Sequence, residues 1–292
     1  MIEIKNLTKT FVPNVIAVND LSIIVREGIT GLIGENGAGK STLLRLIADV
    51  YQKDSGEILI GGLNNSDDDA KDNVFFLSDD PNYNGNDNAL QNLQFYKSLF
   101  DLDEEVFKRM MDRLSLPLDR KVSTFSKGMR RQLFLCIALS MKAKYILLDE
   151  AFDGLDPIVQ EVVKNEIVSN SGEKLFLISS HNLLSLERLC DNFILLSKGK
   201  LKKEEAKKDV GQSLFKYQVL FNKEVSEEEL KANGINVINL KKVGSVFYLI
   251  TGSDDKELII EKYHPTLIEN VVIDKDEALK LEMMIMEGDI KE

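Results

Sequence analysis

Residues 34–42 read Gly34-Glu35-Asn36-Gly37-Ala38-Gly39-Lys40-Ser41-Thr42 and match G-x-x-x-x-G-K-[ST], the pattern of a phosphate-binding loop. The glycines allow the backbone to curl with its N–H groups pointing inward, around the α- and β-phosphates of a nucleotide. The Lys40 ammonium can reach the β- and γ-phosphates, and the Ser41 hydroxyl can hold Mg²⁺. The predicted phosphate-binding residues are Gly34, Asn36, Gly37, Ala38, Gly39, Lys40, Ser41 and Thr42.

The flanks of this loop suit the same interpretation. The apolar run 29–33 before it is typical of a buried strand, and residues 41–49 after it have the apolar spacing of a helix. Bound phosphates would therefore lie at a helix N-terminus, where the dipole favours anions. A glycine-rich turn that matched by accident would require neither flank.

A second group of polar residues follows strands further along the chain. The apolar run 145–148 ends in Asp149 and Glu150, and the run 175–180 ends at His181. Ligands of open α/β sheets bind beyond the carboxyl ends of the strands. We therefore expect Asp149 to hold Mg²⁺ together with Ser41, directly or through water. Glu150 is the candidate to orient or deprotonate the attacking water, and His181 to donate to the γ-phosphate or hold that water.

The length, composition and net charge of the chain limit which classes of protein it can belong to. The chain has 292 residues, which predicts one large domain or two, and its content of 43% hydrophobic and 29% charged residues is that of a soluble protein. A net charge of −11 argues against a broad nucleic-acid-binding face. Cys136 and Cys190 lie in separate apolar runs and are predicted to be buried thiols. Neither a signal peptide nor a membrane-spanning run is expected, so a membrane role would require a partner.

The order of predicted elements indicates an α/β fold. An opening β-rich part is predicted from runs 2–5, 21–25 and 29–33, and residues 64–72 are predicted to form an exposed loop. Helical patterns then follow at 89–100, 104–114 and 129–141, with Asp103 as an N-cap. Strands and helices finally alternate, at 145–148, 157–168, 175–179, 183–189 and 193–196. This alternation predicts a parallel sheet covered by helices.

The composition changes at residues 198–208, which are rich in lysine. We predict a solvated linker helix here, since interleaved glutamates weaken the alternative of contact with acidic lipid head groups. Residues 215–292 follow with the order β-α-β-β-α-β and a further helix at 277–286. That order is typical of a small α+β ferredoxin-like domain.

Five motifs in order carry a resemblance to a known family. They are residues 34–42, Phe125-Ser126-Lys127-Gly128-Met129, Leu147-Leu148-Asp149-Glu150, Gly154-Leu155-Asp156-Pro157 and Ser180-His181. The chain resembles the ATP-binding subunit of an ABC transporter, of the bacterial export-type branch, over residues 1 to about 205. The resemblance implies a P-loop NTPase fold of ABC type at 1–206, with a mixed sheet, a β-rich subdomain and a helical subdomain at about 80–142, followed by the accessory domain at 215–292.

The resemblance also implies a head-to-tail pair of ATPase subunits. Each subunit's phosphate loop then faces the other's signature motif, so that Ser126 and Gly128 would touch the γ-phosphate bound by the partner. The start of a helix near Lys127 agrees with such a role. Asp156 corresponds to the loop that crosses between subunits, and Phe11 to the aromatic residue that stacks on adenine. The alternative for Phe11 is a core residue of the β-rich layer.

Two positions depart from the family pattern. The signature has Lys127 and Met129 where the family usually has Gly and Gln. Asp79 occupies the position of a Gln that normally binds Mg²⁺. Its carboxylate could bind Mg²⁺ with added negative charge, or its shorter side chain could leave a water between.

The function implied is ATP hydrolysis that drives movement of a substrate, in the export direction, through a separate membrane permease. The expected cofactors are ATP and Mg²⁺, and the expected location is the cytoplasmic face of the membrane. The second ATPase subunit could be identical or a paralogue. The alternative is a soluble ABC ATPase acting on nucleic acid or ribosomes, which the acidic charge and the single ATPase module disfavour.

Overall fold

The computed structural model describes residues 1–181, 186, 188–206 and 214–273. The chain divides into two compact units, Met1–Glu204 and Glu205–Glu292. The helix predicted at 183–189 falls mostly outside the described residues, and the one predicted at 277–286 falls entirely outside them.

The strands of the first unit form two sheets. In chain order they are β1 (Ile2–Phe11), β2 (Val15–Val25), β3 (Gly28–Ile33), β4 (Ser55–Ile60), β5 (Leu63–Asn64), β6 (Val74–Leu77), β7 (Tyr145–Leu148), β8 (Leu175–Ser180), β9 (Asn192–Ser197) and β10 (Lys200–Ala206). One sheet has the order β2-β1-β4-β5 and antiparallel pairing. It contains the runs 2–5 and 21–25 of the predicted β-rich part, whereas the third run, 29–33, is β3 and pairs with β8 and β9 instead. The other has the order β10-β9-β3-β8-β7-β6.

The second of these sheets positions the predicted site. Its strands β9, β3, β8, β7 and β6 pair in parallel, so their carboxyl ends meet at one edge. The chain leaves that edge at the phosphate loop after β3, at Asp149 after β7 and at His181 after β8. The sheet therefore brings together residues that are more than 100 positions apart in sequence.

The described helices of the first unit follow the predicted pattern, except for the short one at Asp68–Lys71. They are α1 (Lys40–Ile47), α2 (Asp68–Lys71), α3 (Ala89–Leu99), α4 (Glu104–Arg113), α5 (Lys127–Ser140) and α6 (Pro157–Asn170). Asp103 caps α4 as predicted, because its Oδ1 accepts hydrogen bonds from the backbone N–H groups of Glu105 and Val106 at 2.9 and 3.2 Å. Among the described residues, no helix is long and apolar enough to cross a bilayer.

Two local predictions are wrong. Residues 64–72 are not simply an exposed loop, because they contain α2 and the buried residues Asn65 and Ala70. The Asn65 amide donates to the Leu46 carbonyl at 2.8 Å and so satisfies an acceptor at the end of α1. The expected linker helix at 198–208 is in fact strand β10 over residues 200–206. A tight turn with positive φ at Lys198 and Gly199 returns the chain beside β9, and an edge strand tolerates the charged composition that suggested a linker.

A hydrophobic core fills the space between the two sheets. Its members include Ile4 and Ile58 of the β-rich sheet, Leu43 and Leu44 of α1, and Leu177 of the parallel sheet, all at most 2% exposed. Cys136 and Cys190 are buried thiols, as predicted. Burial raises the pKa of the Cys136 thiol, which keeps it protonated.

The second unit has the predicted order of elements over its described part. They are β11 (Phe215–Leu220), α7 (Glu227–Ala232), β12 (Val237–Val243), β13 (Val246–Thr251), α8 (Lys256–Tyr263) and β14 (Leu267–Val271). The strands pair antiparallel in the order β12-β13-β11-β14, which is a split βαβ arrangement. Ser226 caps α7 by accepting a hydrogen bond from the Glu229 N–H at 3.1 Å.

Candidate functional site

Close backbone approaches require glycine at two of the three glycine positions in the phosphate loop, whereas Gly37 has a φ of +84° and open space around it. A Cβ at Gly34 would lie 2.3 Å from the Leu196 carbonyl oxygen, and one at Gly39 would lie 2.3 Å from that of Ala17. Gly39 also has a φ of 103° where it begins α1. Larger residues are therefore excluded at both positions, and the loop takes the tight path that directs its N–H groups inward.

The Lys40 side chain is buried against its own loop. It is 5% exposed, and its ammonium donates to the carbonyl oxygens of Gly34 at 2.6 Å and Glu35 at 3.2 Å. The same nitrogen lies 3.4 Å from Glu150 Oε1. This ion pair joins the phosphate loop to the end of β7, as expected for two groups that act on one triphosphate.

Asp149 is fully buried beside the start of α1. Its Oδ1 accepts hydrogen bonds from the hydroxyls of Ser41 at 3.0 Å and Ser179 at 2.6 Å. Its Oδ2 is buried without a hydrogen-bond partner among the described residues. Burial raises the pKa of the Asp149 carboxyl, and the two hydroxyls offset part of that rise.

The Ser41 hydroxyl and the Asp149 carboxylate together fit a hard divalent cation. An unpartnered buried carboxylate oxygen beside a serine hydroxyl offers the oxygen ligands that Mg²⁺ prefers. In the described part of the chain no three His, Cys, Asp or Glu side chains form a metal-binding group. A cation held by Ser41 and Asp149 would therefore take its other ligands from phosphate and water, which is the usual habit of Mg²⁺.

Glu150 is held in an uncommon conformation next to His181. Its φ is 48°, in the left-handed region that non-glycine residues seldom adopt. Its N–H donates to Ser179 Oγ at 2.9 Å, and its Oε2 accepts from the His181 N–H at 3.3 Å and lies 2.9 Å from His181 Nδ1. The strain at a carboxylate in this position is typical of a functional site, where surrounding contacts fix the side chain.

Sequence reasoning missed Arg131, which ties two loops of the site together. This side chain is 8% exposed, and its guanidinium donates to the backbone carbonyls of Asp149 and Glu150 and also to those of Ser78 and Asp79. The available signal was a charged residue at the start of the apolar run of α5. Ser179, which contacts both carboxylate-bearing residues, gave no signal beyond its place at the end of β8.

Asp79, the third residue predicted to bind the metal, forms an ion pair with a cationic side chain. Its Oδ1 is 3.7 Å from Arg45 Nη2, and its side chain is 55% exposed. The negative charge of Asp79 raises the pKa of Asp149, and the positive charge of Arg45 lowers it. Both groups therefore act electrostatically on the same carboxylate.

Four predicted nucleotide contacts lie at or near element ends away from the phosphate loop in sequence. Ser126 caps α5 by accepting a hydrogen bond from Met129 N–H at 3.1 Å, and Gly128 lies in the first turn of that helix. Asp156 caps α6 by accepting from two backbone N–H groups at 3.1 Å. Phe11 ends β1, is partly exposed, and packs edge-on against Tyr51 with ring centroids 5.5 Å apart. The alternative of a core residue is wrong for Phe11.

A cleft of about 490 Å³ connects the catalytic edge with the helical part of the first unit. Its lining includes Asn36 of the phosphate loop, Asp79, Gly128, Glu150 and His181. The remaining predicted loop residues, Ala38 and Thr42, lie at the last turn of the loop and in the first turn of α1. The cleft thus brings Asn36 of the phosphate loop together with predicted residues that follow β6, β7 and β8 and with the first turn of α5.

Replacement of Asp149 by Asn should stabilise the protein in the absence of nucleotide and metal. A carboxyl whose pKa is raised by folding costs stability at pH values above that pKa, and the cost disappears at pH values below its unfolded pKa. We expect Asp149→Asn to raise the free energy of unfolding at pH 7 by about 1 kcal/mol, by analogy with buried charges that have no hydrogen bond from an oppositely charged side chain. Urea denaturation in EDTA measures this.

The matched control for this prediction is Asp153→Asn, which removes an exposed carboxylate in the same loop. Its free energy of unfolding should stay within about 0.5 kcal/mol of the unsubstituted protein. A fall in stability on Asp149→Asn would contradict the assignment of Asp149 as a destabilised buried charge.

Comparison with known proteins agrees with the geometry. The model of the ABC transporter family matches residues 18–153. The chain is 28% identical to the ABC transporter ATP-binding protein YtrB of Bacillus subtilis over 95% of this chain and 96% of that protein. It is 31% identical to the lantibiotic transport ATP-binding protein SrtF of Streptococcus pyogenes, over 76% of this chain and 99% of that protein.

Solved structures show the same fold. The ATP-binding subunit of an ABC transporter superposes with a TM-score of 0.66 at 24% identity, covering 73% of this chain and 92% of that one. The dimeric cassette MJ0796 in a post-hydrolysis state with ADP and Pi superposes with a TM-score of 0.61 at 22% identity, covering 70% and 98%. The chain therefore belongs to the ATP-binding proteins of ABC transporters, and it is an ATPase subunit of that family.

Proposed function

We propose that this subunit binds MgATP at residues 34–42, uses Glu150 to activate the attacking water, and drives export through a separate membrane permease. The observation that carries the proposal is the position of Glu150, whose carboxylate lies 3.4 Å from the Lys40 ammonium and 2.9 Å from His181 Nδ1. A carboxylate between a phosphate-binding lysine and an orienting histidine is well placed for a general base in phosphoryl transfer.

The roles of the chain's own groups follow from their contacts. The loop N–H groups and Lys40 bind the phosphates, and α1 contributes the positive end of its dipole. Ser41 and Asp149 hold Mg²⁺, which when bound neutralises charge on the β- and γ-phosphates. Glu150 accepts the proton of the attacking water at its carboxylate. His181 fixes the orientation of Glu150 and is close enough to the cleft to contact a γ-phosphate.

A second ATPase subunit would complete the site. Ser126 and Gly128 lie at the exposed N-terminus of α5, which has no acidic residue in its first turn and so can receive a partner's phosphate. Asp156 would lie at the crossing between subunits, and Phe11 would stack on adenine. An identical partner is workable, since both halves of the composite site are present in this chain.

The permease would dock on the helical subdomain, at residues 82–120, which would locate the protein at the cytoplasmic face of the membrane. Phe95 and Leu99 of α3 support this assignment, because they are 58% and 60% exposed and so present apolar surface to a partner. The similarity to SrtF, described as a lantibiotic transport protein, supports export. Residues 1–206 would form the ATPase domain, and residues 215–292 an accessory domain that pairs with its twin or regulates the cycle.

Glu150→Gln should separate nucleotide binding from hydrolysis. The amide retains the size of the side chain but cannot accept the proton, so the hydrolysis rate should fall by about 10²–10⁴-fold, the usual contribution of a general base. The affinity for ATP should change little. Phosphate release and titration calorimetry measure the two quantities. Glu161→Gln, an exposed position on α6, is the control, and wild-type hydrolysis by Glu150→Gln would contradict the assigned role.

The same variant, Glu150→Gln, tests whether the subunit has a membrane permease as its partner. Tagged Glu150→Gln, trapped with ATP in its native cells and purified in mild detergent, should retain a polytopic membrane protein in near-equal amount, which mass spectrometry would identify. Co-purification of ribosomes or DNA without any membrane protein would leave the ATPase chemistry in place and refute the transport assignment.

A further inference from the structure

The loop after β6 runs beside the predicted metal ligands. In the parallel pairing of β6 with β7, Leu77 lies opposite Leu148, and the Asp149 N–H donates to the Leu77 carbonyl at 2.9 Å. The next residues, Ser78 and Asp79, therefore leave the sheet next to Asp149 and Glu150. Arg131 binds the backbone carbonyls of both loops, so the main chain of residues 78–79 is held independently of its side chains.

Arg45 of α1 also contacts this loop, through the side chain of Asp79. It lies on α1 one turn after Ser41, and residues four apart share a helix face. Its guanidinium lies 3.7 Å from Asp79 Oδ1 and is centred 5.8 Å from the centroid of the Tyr51 ring. The guanidinium thus contacts both an aromatic ring and a carboxylate.

The ion pair between Arg45 and Asp79 contributes little to the stability of the fold. The two side chains are 27% and 55% exposed, and ion pairs at such positions contribute about 0–1 kcal/mol to folding. The charge of Asp79 matters more for the site. Asp149 and Glu150 already place two carboxylates at this edge, and a third without a counter-charge would repel a triphosphate.

We infer that Arg45 is a positioning residue that neutralises Asp79 at the metal site and thereby sets how strongly nucleotide binding depends on a divalent cation. This inference rests on the proposed function. The pair lets an aspartate stand beside Asp149 without adding net negative charge. Without Arg45, Asp79 loses its ion-pair partner and retains only its weaker electrostatic interaction with Arg131. ATP binding then becomes weaker in EDTA and more dependent on Mg²⁺.

A set of four proteins tests this pairing: the unsubstituted chain, Arg45→Gln, Asp79→Asn and the double variant. ATP affinity is measured by titration calorimetry in EDTA and in Mg²⁺. We expect Arg45→Gln to weaken binding in EDTA by about threefold to tenfold, a change of the order that one partly exposed charge produces, and by less in Mg²⁺. The double variant should bind within about twofold of the unsubstituted chain, because both charges are then absent.

Two further variants separate charge from structure. Arg45→Lys keeps the charge and should bind ATP within about twofold of the unsubstituted chain. Lys108→Gln removes one exposed charge from α4, which bears none of the predicted site residues, and should have the same small effect. Thermal unfolding midpoints check that every variant is folded.

Three results would overturn the inference. Arg45→Gln could bind ATP in EDTA like the unsubstituted chain, it could lose affinity equally in EDTA and in Mg²⁺, or it could stay weak in the Asp79→Asn background. The last result would mean that Arg45 contacts the nucleotide directly. Failure of the unsubstituted chain to bind ATP in Mg²⁺ would instead refute the proposed function, together with the inference that rests on it.

Discussion

The site depends on the parallel register of β3, β8, β7 and β6. This register brings the ends of four strands to one edge, and each end contributes one part: the phosphate loop, His181, the Asp149–Glu150 pair and Asp79. A shift of one residue in any pairing would turn the buried side chains of that strand to its other face and displace the loop that follows it. The apolar residues of these strands, buried on both faces, are what fix the register.

The edge concentrates charge that the protein has to balance. Asp149 is fully buried, and hydroxyls rather than a cation provide its hydrogen bonds among the described residues. Lys40 lies against Glu150, Arg45 against Asp79, and Arg131 against the backbone carbonyls of both loops. Burial and the nearby charge of Asp79 raise the pKa of Asp149, and the Ser179 and Ser41 hydroxyls and Arg45 offset part of that rise. Such a site is costly to fold, and that cost is expected where a nucleotide phosphate is to be bound.

Much of the fold and the site could be predicted from the sequence, because the strongest signals are local. The glycine spacing of residues 34–42 and the carboxylates after an apolar run identify parts of the site without knowledge of tertiary structure. The roles of Arg131 and Ser179 could not be predicted in this way, since each depends on contacts between residues about 20 to 50 positions apart. The same limit explains β10, whose charged composition is typical of a linker although its backbone pairs in the sheet. Arg45 likewise gives no signal in the sequence beyond its place in an amphipathic helix, because its ion pair with Asp79 joins residues far apart in the chain.

In the proposed mechanism the two adjacent carboxylates have different roles: Asp149 binds the metal ion, and Glu150 activates the attacking water. The most direct test is to measure ATP affinity for Asp149→Asn and Glu150→Gln, each with Mg²⁺ and with EDTA. The account predicts that Glu150→Gln retains the gain in affinity that Mg²⁺ gives the unsubstituted protein, and that Asp149→Asn loses it. Retention of this gain by Asp149→Asn, or its loss in Glu150→Gln alone, would contradict the account.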